Sequence, residues 1–185
     1  SYTLGDVTYT RECFASNPDD VLVMHVTANK KSSVSVEISL NLLRQPSKVR
    51  TLDNQLIFNG QALSKNSKGG VWFEGRVTVS AIGGNVQTKE NKIAVSNADE
   101  LILRIDIRTD FGGLDMTANN YKNHSYKELC KKTIKAAEEK SYEQIKKQHI
   151  TDFSALFNRV SLSLGDKRDA YQLPTSVRLK QYREN

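Results

Sequence analysis

The chain has 185 residues, 38% of them hydrophobic, enough for one domain with a sizeable core and an appendage. Its longest apolar run, Val21-Leu22-Val23-Met24, is far short of the roughly 18 residues of a membrane-spanning helix, which excludes such a span. The net charge of +6 raises the question of nucleic acid, but the lysines that carry the excess (Lys122, Lys127, Lys131, Lys132, Lys135, Lys140, Lys146 and Lys147) fall in one helical stretch without interleaved stacking aromatics, so they read as a solvated face and not as a nucleic-acid site.

From Tyr2 to about Thr109 the apolar period is two. Tyr2 and Leu4 run into Gly5-Asp6, a hairpin signal that leads to a second strand from Val7. Asn17-Pro18-Asp19-Asp20 is turn chemistry. Val21 to Thr27 is apolar enough to predict a strand covered on both faces. After the turn Asn29–Ser33, Val34, Val36, Ile38 and Leu40 alternate with polar residues as in a half-buried strand. Leu56-Ile57-Phe58 runs into Asn59-Gly60, read as another hairpin. Val71, Phe73, Val77 and Val79 then share one face, with Glu74, Arg76 and Thr78 on the other. Gly83-Gly84 turns the chain back, Ile93 and Val95 form a short strand, and Asn97–Glu100 ends it. Leu101, Leu103, Ile105 and Ile107 alternate with Arg104, Asp106 and Arg108.

Eight to ten short strands with turn signals every ten to twelve residues predict an antiparallel β-sandwich over residues 1–110. Residues 111–185 read as a helical linker. Ser125–Glu128 and Ser141–Gln144 both fit a capping box. Tyr142, Ile145, His149, Phe153, Leu156 and Phe157 recur at three and four, the stripe of an amphipathic helix. Val160, Leu162 and Leu164 return to alternation, which predicts one strand at about 160–164 that rejoins the sandwich. Leu173-Pro174-Thr175 opens a last helix carrying Val177, Leu179 and Tyr182. The chain opens without Met, already in strand alternation, and closes inside a helical pattern, so it reads as part of a longer protein.

Little here points to chemistry. His25, His124 and His149 have no partners at metal or triad spacing, and His149 fits the apolar stripe of its helix. The adjacent carboxylates Asp19/Asp20 and Asp99/Glu100 sit in turns, and nothing selects a catalytic pair. Asp110-Phe111-Gly112 spells a kinase triplet without the rest of the kinase signature. Asn123-His124-Ser125 is a glycosylation sequon that matters only in a eukaryotic secretory pathway. Cys13 and Cys130 sit in no metal motif; they read as ordinary thiols, though a disulfide between them stays open. No cofactor, metal or catalytic residue is expected within the chain. Trp72, with Phe73 and nearby tyrosines, is a candidate sugar-stacking residue; the competing reading is that it packs between sheets or against a partner domain.

The order of segments resembles glycoside hydrolase family 95, the α-L-fucosidase family. Tyr9-Thr10-Arg11-Glu12-Cys13-Phe14-Ala15-Ser16 through Met24 is similar to that family's "YTREVFAS-P-D-V-V" strand pair. Val71-Trp72-Phe73-Glu74, Gly83-Gly84 and Asn97-Ala98-Asp99-Glu100-Leu101 follow in the same order. His149-Ile150-Thr151-Asp152-Phe153 through Gly165 is similar to "H--DY--LF-RVSL-LG", and Leu173–Leu179 to "LPTDERL". The resemblance covers essentially the whole chain. It implies the N-terminal, galactose-mutarotase-like super-sandwich of such an enzyme, missing its first strands and joined by helices to an (α/α)6 barrel beyond the chain.

The implied activity, inverting hydrolysis of terminal α-1,2-linked α-L-fucosyl groups, would reside in that barrel, with an α-L-galactosidase of the same family as the alternative. Periplasmic or secreted localisation follows from the same analogy. An incomplete sandwich leaves an open edge, so an edge-strand dimer is a further expectation. Two other classes compete: a free-standing carbohydrate-binding sandwich using Trp72, and a basic nucleic-acid binder whose affinity would fall steeply with salt.

Overall fold

The computed structural model describes residues 1–41, 47–62, 70–111, 125–163 and 172–184. Among these residues, ten antiparallel strands and three helices follow one another along the chain. The strands are β1 (Tyr2–Leu4), β2 (Val7–Ser16), β3 (Val21–Ala28), β4 (Val34–Ser39), β5 (Ser47–Leu52), β6 (Gln55–Gln61), β7 (Trp72–Ile82), β8 (Asn85–Lys89), β9 (Lys92–Ala98) and β10 (Glu100–Thr109). They form a seven-stranded sheet in the order β1-β2-β3-β10-β7-β6-β5 and a three-stranded sheet in the order β4-β9-β8. The expected mainly antiparallel, sandwich-like fold followed by helices is what the chain adopts.

Turn chemistry sets most of the connections. Gly5 at φ 60° closes the β1–β2 hairpin, and Gly83 and Gly84, at φ 69° and 67°, turn β7 into β8. A side chain at Gly84 is excluded twice over, because its Cβ would also meet the Ser96 carbonyl at 2.3 Å. Asn59-Gly60 is not a hairpin. Both residues lie inside β6, paired to β5 and β7, and the turn before them is made by Asp53, at φ 51°, with Asn54.

The inner face of the large sheet packs on the small sheet. Val26, Leu101, Leu103, Val77, Val79, Leu56 and Phe58 meet Val34, Ile93, Val95 and Ala98 in one core. At Gly75 the absence of a side chain is required, since a Cβ there would lie 2.0 Å from Cζ of Phe58, its cross-strand partner.

Cover on this face is uneven. Arg11, Val26 and Leu101 stand opposite one another across β2, β3 and β10, as do Cys13, Met24 and Leu103, and Ala15, Leu22 and Ile105. Along each row burial falls toward β2, where Arg11, Cys13 and Ala15 are exposed. Leu22 is exposed too, so β3 is not covered on both faces along its whole length.

The outer face carries helices α1 (Tyr126–Glu138) and the first part of α2 (Tyr142–Phe157). Val21, Val23 and Ile102 of the sheet enclose a second core with Ile134, Ala137, Tyr142 and Ile145. With these helices the strands make one compact unit, Ser1–Asp152. The second unit, Phe153–Asn185, holds the end of α2 and helix α3 (Thr175–Glu184). The expected strand at about 160–164 does not form over its described part: Val160–Ser163 are neither strand nor helix, and Leu164 lies outside the described residues. Alternation makes a strand only where a neighbouring edge takes its backbone hydrogen bonds. His124, the sequon Asn123, and Gly112-Gly113 also lie outside the described residues.

Candidate functional site

The most elaborate constellation in the chain is the polar layer between the large sheet and its helices. Strand alternation places Glu74, Arg76 and Thr78 of β7 on one face. Register sets them opposite Arg108, Asp106 and Arg104 of β10. Such a polar face ordinarily meets water, yet Glu74 is 3% and Asp106 5% exposed, because α1 lies across them. Charges alternate across the two strands at Glu74, Arg108, Arg76 and Asp106, whereas Arg104 faces Thr78, and its Nε and the Thr78 hydroxyl are buried without a hydrogen-bond partner among the described residues.

Arg76 donates from Nη2 and Nε to Glu74 Oε1 at 2.8 and 3.1 Å. Arg108 donates to Asp106 at 2.9 Å and reaches Asp20 at 3.2 Å and Thr133 of α1 at 3.3 Å. Arg104 donates to Ser80 and to the Lys140 carbonyl that follows α1, at 3.2 and 3.0 Å. Burial lowers the Arg104 pKa and raises that of Asp106 despite its arginine partner. Burial likewise pushes the Cys130 thiol, which lies against the Asp106 carbonyl, up to about 12. These are carboxylates and a thiol locked into packing, without the open approach that a reacting group needs.

Helix α2 is fastened beside this layer. Its start is a reciprocal capping box: the Ser141 amide donates to Gln144 Oε1 at 2.8 Å and the Gln144 amide to Ser141 Oγ at 3.2 Å. The similar-looking Ser125 makes no side-chain cap bond at α1. Tyr142 then packs its ring 4.0 Å from that of His25 and donates its hydroxyl to Glu12 at 2.7 Å.

Lys146, one turn on, donates to both oxygens of Glu12 at 2.8 and 2.9 Å, and holds the Glu12 carboxyl below its ordinary range together with Tyr142. Burial, and then the bond to Glu12, pushes the Tyr142 phenol up to about 12. His25 bonds Glu100 at 2.8 Å, and His149 stacks on Phe14 at 4.7 Å. The apolar stripe of α2 therefore divides. Tyr142 and Ile145 are buried on the sheet, whereas Phe153, Leu156 and Phe157 are exposed, the two phenylalanines stacked at 5.1 Å.

Trp72 stands at the start of β7, 47% exposed, its amide donating to Asp110 Oδ1 at 2.9 Å. Phe73 points the other way, into the core against Phe58. Tyr2 and Tyr9 stack on each other at the far edge of the sheet. The described aromatics thus do not gather around Trp72. The turn carboxylates serve the backbone and the helices: Asp19 accepts from Ser16 and Lys140, Asp20 pairs with Arg108, and Asp99 accepts from the Ser32 amide. Cys13 and Cys130 are both free thiols, the first exposed and the second buried. Among the described residues no group of three or more His, Cys, Asp or Glu could hold a metal ion. The fastening of α2 by Glu12 gave no sequence signal, because Glu12 and Lys146 are 134 positions apart.

The family described as "Glycosyl hydrolase family 65, N-terminal domain" matches residues 1–114, and "Glycosyl hydrolase family 95 catalytic domain" matches residues 141–185. The chain is 30% identical over 190 residues to "Alpha-L-fucosidase 2" of Arabidopsis thaliana, covering 89% of this chain and 22% of that protein. It is 24% identical to "Probable alpha-fucosidase A" of Aspergillus niger and to the protein of that name in Aspergillus oryzae. These matches cover 98% and 100% of this chain, and 24% and 26% of the relatives. The chain thus spans about a quarter of the length of the curated relatives it matches. A solved structure named for a kojibiose phosphorylase from human microbiome shares the fold over 82% of this chain and 21% of its own, at 10% identity and a TM-score of 0.54. The chain belongs to the glycosyl hydrolase family 65 N-terminal domain family, in the form found in α-fucosidase-like proteins of family 95.

Proposed function

We propose that this chain is the non-catalytic front of an α-L-fucosidase, a sandwich that braces a helical catalytic barrel supplied by the rest of a longer protein. What carries the reading is helix α2. The family 95 catalytic match begins at residue 141, yet Tyr142 and Ile145 belong to the core beneath the sheet. One helix therefore serves the sandwich with its first two turns and carries beyond them the exposed Phe153, Leu156 and Phe157 as the surface offered to the catalytic region. In the longer protein the reaction is hydrolysis of terminal α-L-fucosyl groups, α-1,2-linked, with inversion, in the periplasm or outside the cell. No residue of this chain performs it.

The test is to assay the longer protein and residues 1–185 side by side on an α-1,2-fucosylated oligosaccharide, following the anomer first released by NMR. Release of β-L-fucose by the longer protein alone is the expected result. Preferential cleavage of an α-L-galactoside would keep the scaffold role and change the sugar. Cleavage by residues 1–185 alone, or of neither sugar by the longer protein, would overturn the reading.

A further inference from the structure

Strand β2 and helix α2 run side by side in the same direction, and their contacts follow in order. Glu12 takes Tyr142 and Lys146, and Phe14 stacks on His149 at 4.7 Å. Asn17, in the turn past the strand, donates from Nδ2 to Asp152 Oδ2 at 3.3 Å. The two repeats stay in step. Five residues from Glu12 to Asn17 span about 17 Å at the rise of a strand, and ten helical residues from Tyr142 to Asp152 span about 15 Å. Asp19, in the same turn, accepts from Lys140 Nζ, which also donates to Gln148 Oε1 at 3.0 Å. The stretch from Glu12 to Asp19 is thus a seat for the helix at whose start the family 95 match begins.

The core fixes this helix only at its first turns, since Tyr142 and Ile145 are its buried residues. From Lys146 to Asp152 the seat consists of half-buried and exposed groups, Asn17 among the exposed. Such contacts contribute little to stability. Their leverage on direction is large. A swing of about 10° pivoting on Ile145 carries Asp152, seven residues on, through about 2 Å. A misplacement of about 1 Å around a reacting centre costs on the order of 10²-fold in rate.

We infer that Glu12, Phe14 and Asn17 are positioning residues for the reaction of the longer enzyme, because they set the direction of α2 where the compact unit ends at Asp152. The positioning role rests on the proposed function; the seat itself does not.

The test uses spin labels on the native Cys13, exposed on β2, and on Thr151→Cys, at an exposed position of α2, with Cys130 buried and spared. In residues 1–185 one narrow distance is expected. Phe14→Leu with Asn17→Asp removes the stack and sets a like charge against Asp152, and is expected to widen that distance by about 2 Å, the swing described above. Adding Asp152→Lys rejoins turn and helix by an ion pair and is expected to restore the narrow distance. In the longer protein the double variant is expected to lose at least about tenfold in kcat/KM on an α-1,2-fucosylated oligosaccharide. Its melting temperature is expected to stay within about 2 °C of the parent, and the triple variant to recover most of the rate.

A distance already broad in the parent, or unchanged in the double variant, overturns the seat whether or not the longer protein is active. A rate that holds while the distance widens, or that falls together with more than about 5 °C of melting temperature, overturns the positioning role. Inactivity of the parent on fucosides and galactosides alike overturns the proposed function and the positioning role with it, and the distance alone then decides the seat.

Discussion

The two faces of the seven-stranded sheet each bury an apolar core, and each departs from the usual rule of burial in one region. The outer face is studded with charge at Glu74, Arg76, Arg104, Asp106 and Arg108, and is sealed beneath α1. The inner face is apolar, and toward β2 it is open. Coverage, not polarity, decides what is buried here. The outer face tolerates burial because Glu74 pairs with Arg76 and Asp106 with Arg108 along their strands, while Arg104 has its opposite charge, Glu138, on α1. Among the described residues the smaller sheet is three strands wide and leaves the inner face of β2 exposed.

The contrast can be broken most sharply on the outer face. Glu74→Ala leaves Arg76 buried without its carboxylate partner and is expected to cost about 3–5 kcal/mol, read by urea unfolding. Replacing both by apolar residues, Glu74→Met with Arg76→Leu, is expected to recover most of that loss. If the single variant is as stable as wild type, the layer is not a paired interior. On the same side, Ile145→Ala empties a fully buried site in the core under α2 and is expected to cost about 2–5 kcal/mol by the same measurement. Phe153→Ala, at an exposed position of the same helix, is expected to stay within about 0.5 kcal/mol of wild type in this chain.

On the inner face, Gly75→Ala drives a methyl into the Phe58 ring. About 1–3 kcal/mol of destabilisation is expected, partly relieved by Phe58→Leu. Ser141→Ala removes one half of the capping box at α2 and is expected to cost about 1 kcal/mol by thermal or urea melts.

The smallest effects are in pH. The phenol of Tyr142 has a folded pKa raised to about 12, so its contribution is fully present below its free value of about 10 and is lost as pH rises through about 12. The Glu12 carboxyl is lowered, first by Lys146 and then by Tyr142. Its contribution is present above the ordinary carboxyl value and is lost as pH falls through the depressed one. Stability against pH for Tyr142→Phe and Glu12→Gln is expected to lose the alkaline and the acid limb respectively.

What was legible in the sequence was local. The Ser141–Gln144 capping box, the Gly5-Asp6 and Gly83-Gly84 turns and the alternation in β4 and β10 are written in neighbouring residues, and they formed. Where a local signal depended on distant partners it misled. Asn59-Gly60 has hairpin chemistry, but pairing with β5 on one side and β7 on the other holds it in mid-strand. Ser125–Glu128 has the spacing of a capping box, yet Ser125 makes no side-chain cap bond. Glu74, Arg76 and Asp106 look like solvent positions from alternation alone, because a strand does not reveal which helix will lie across it. The Glu12–Tyr142–Lys146 fastening joins residues from opposite ends of the compact unit, beyond the reach of any spacing rule.

The capping box at Ser141 has a consequence for anyone who exchanges parts between relatives. The family 95 match begins at that residue, but the first turns of α2 close the core beneath the sheet. A chain cut at Lys140 would lose Tyr142 and Ile145 and expose the apolar side of β3 and β10 that they cover. The natural place to graft a different front half is after Asp152, where the compact unit ends. The grafted piece must then bring its own first three turns of α2, the helix at whose start the family 95 match begins.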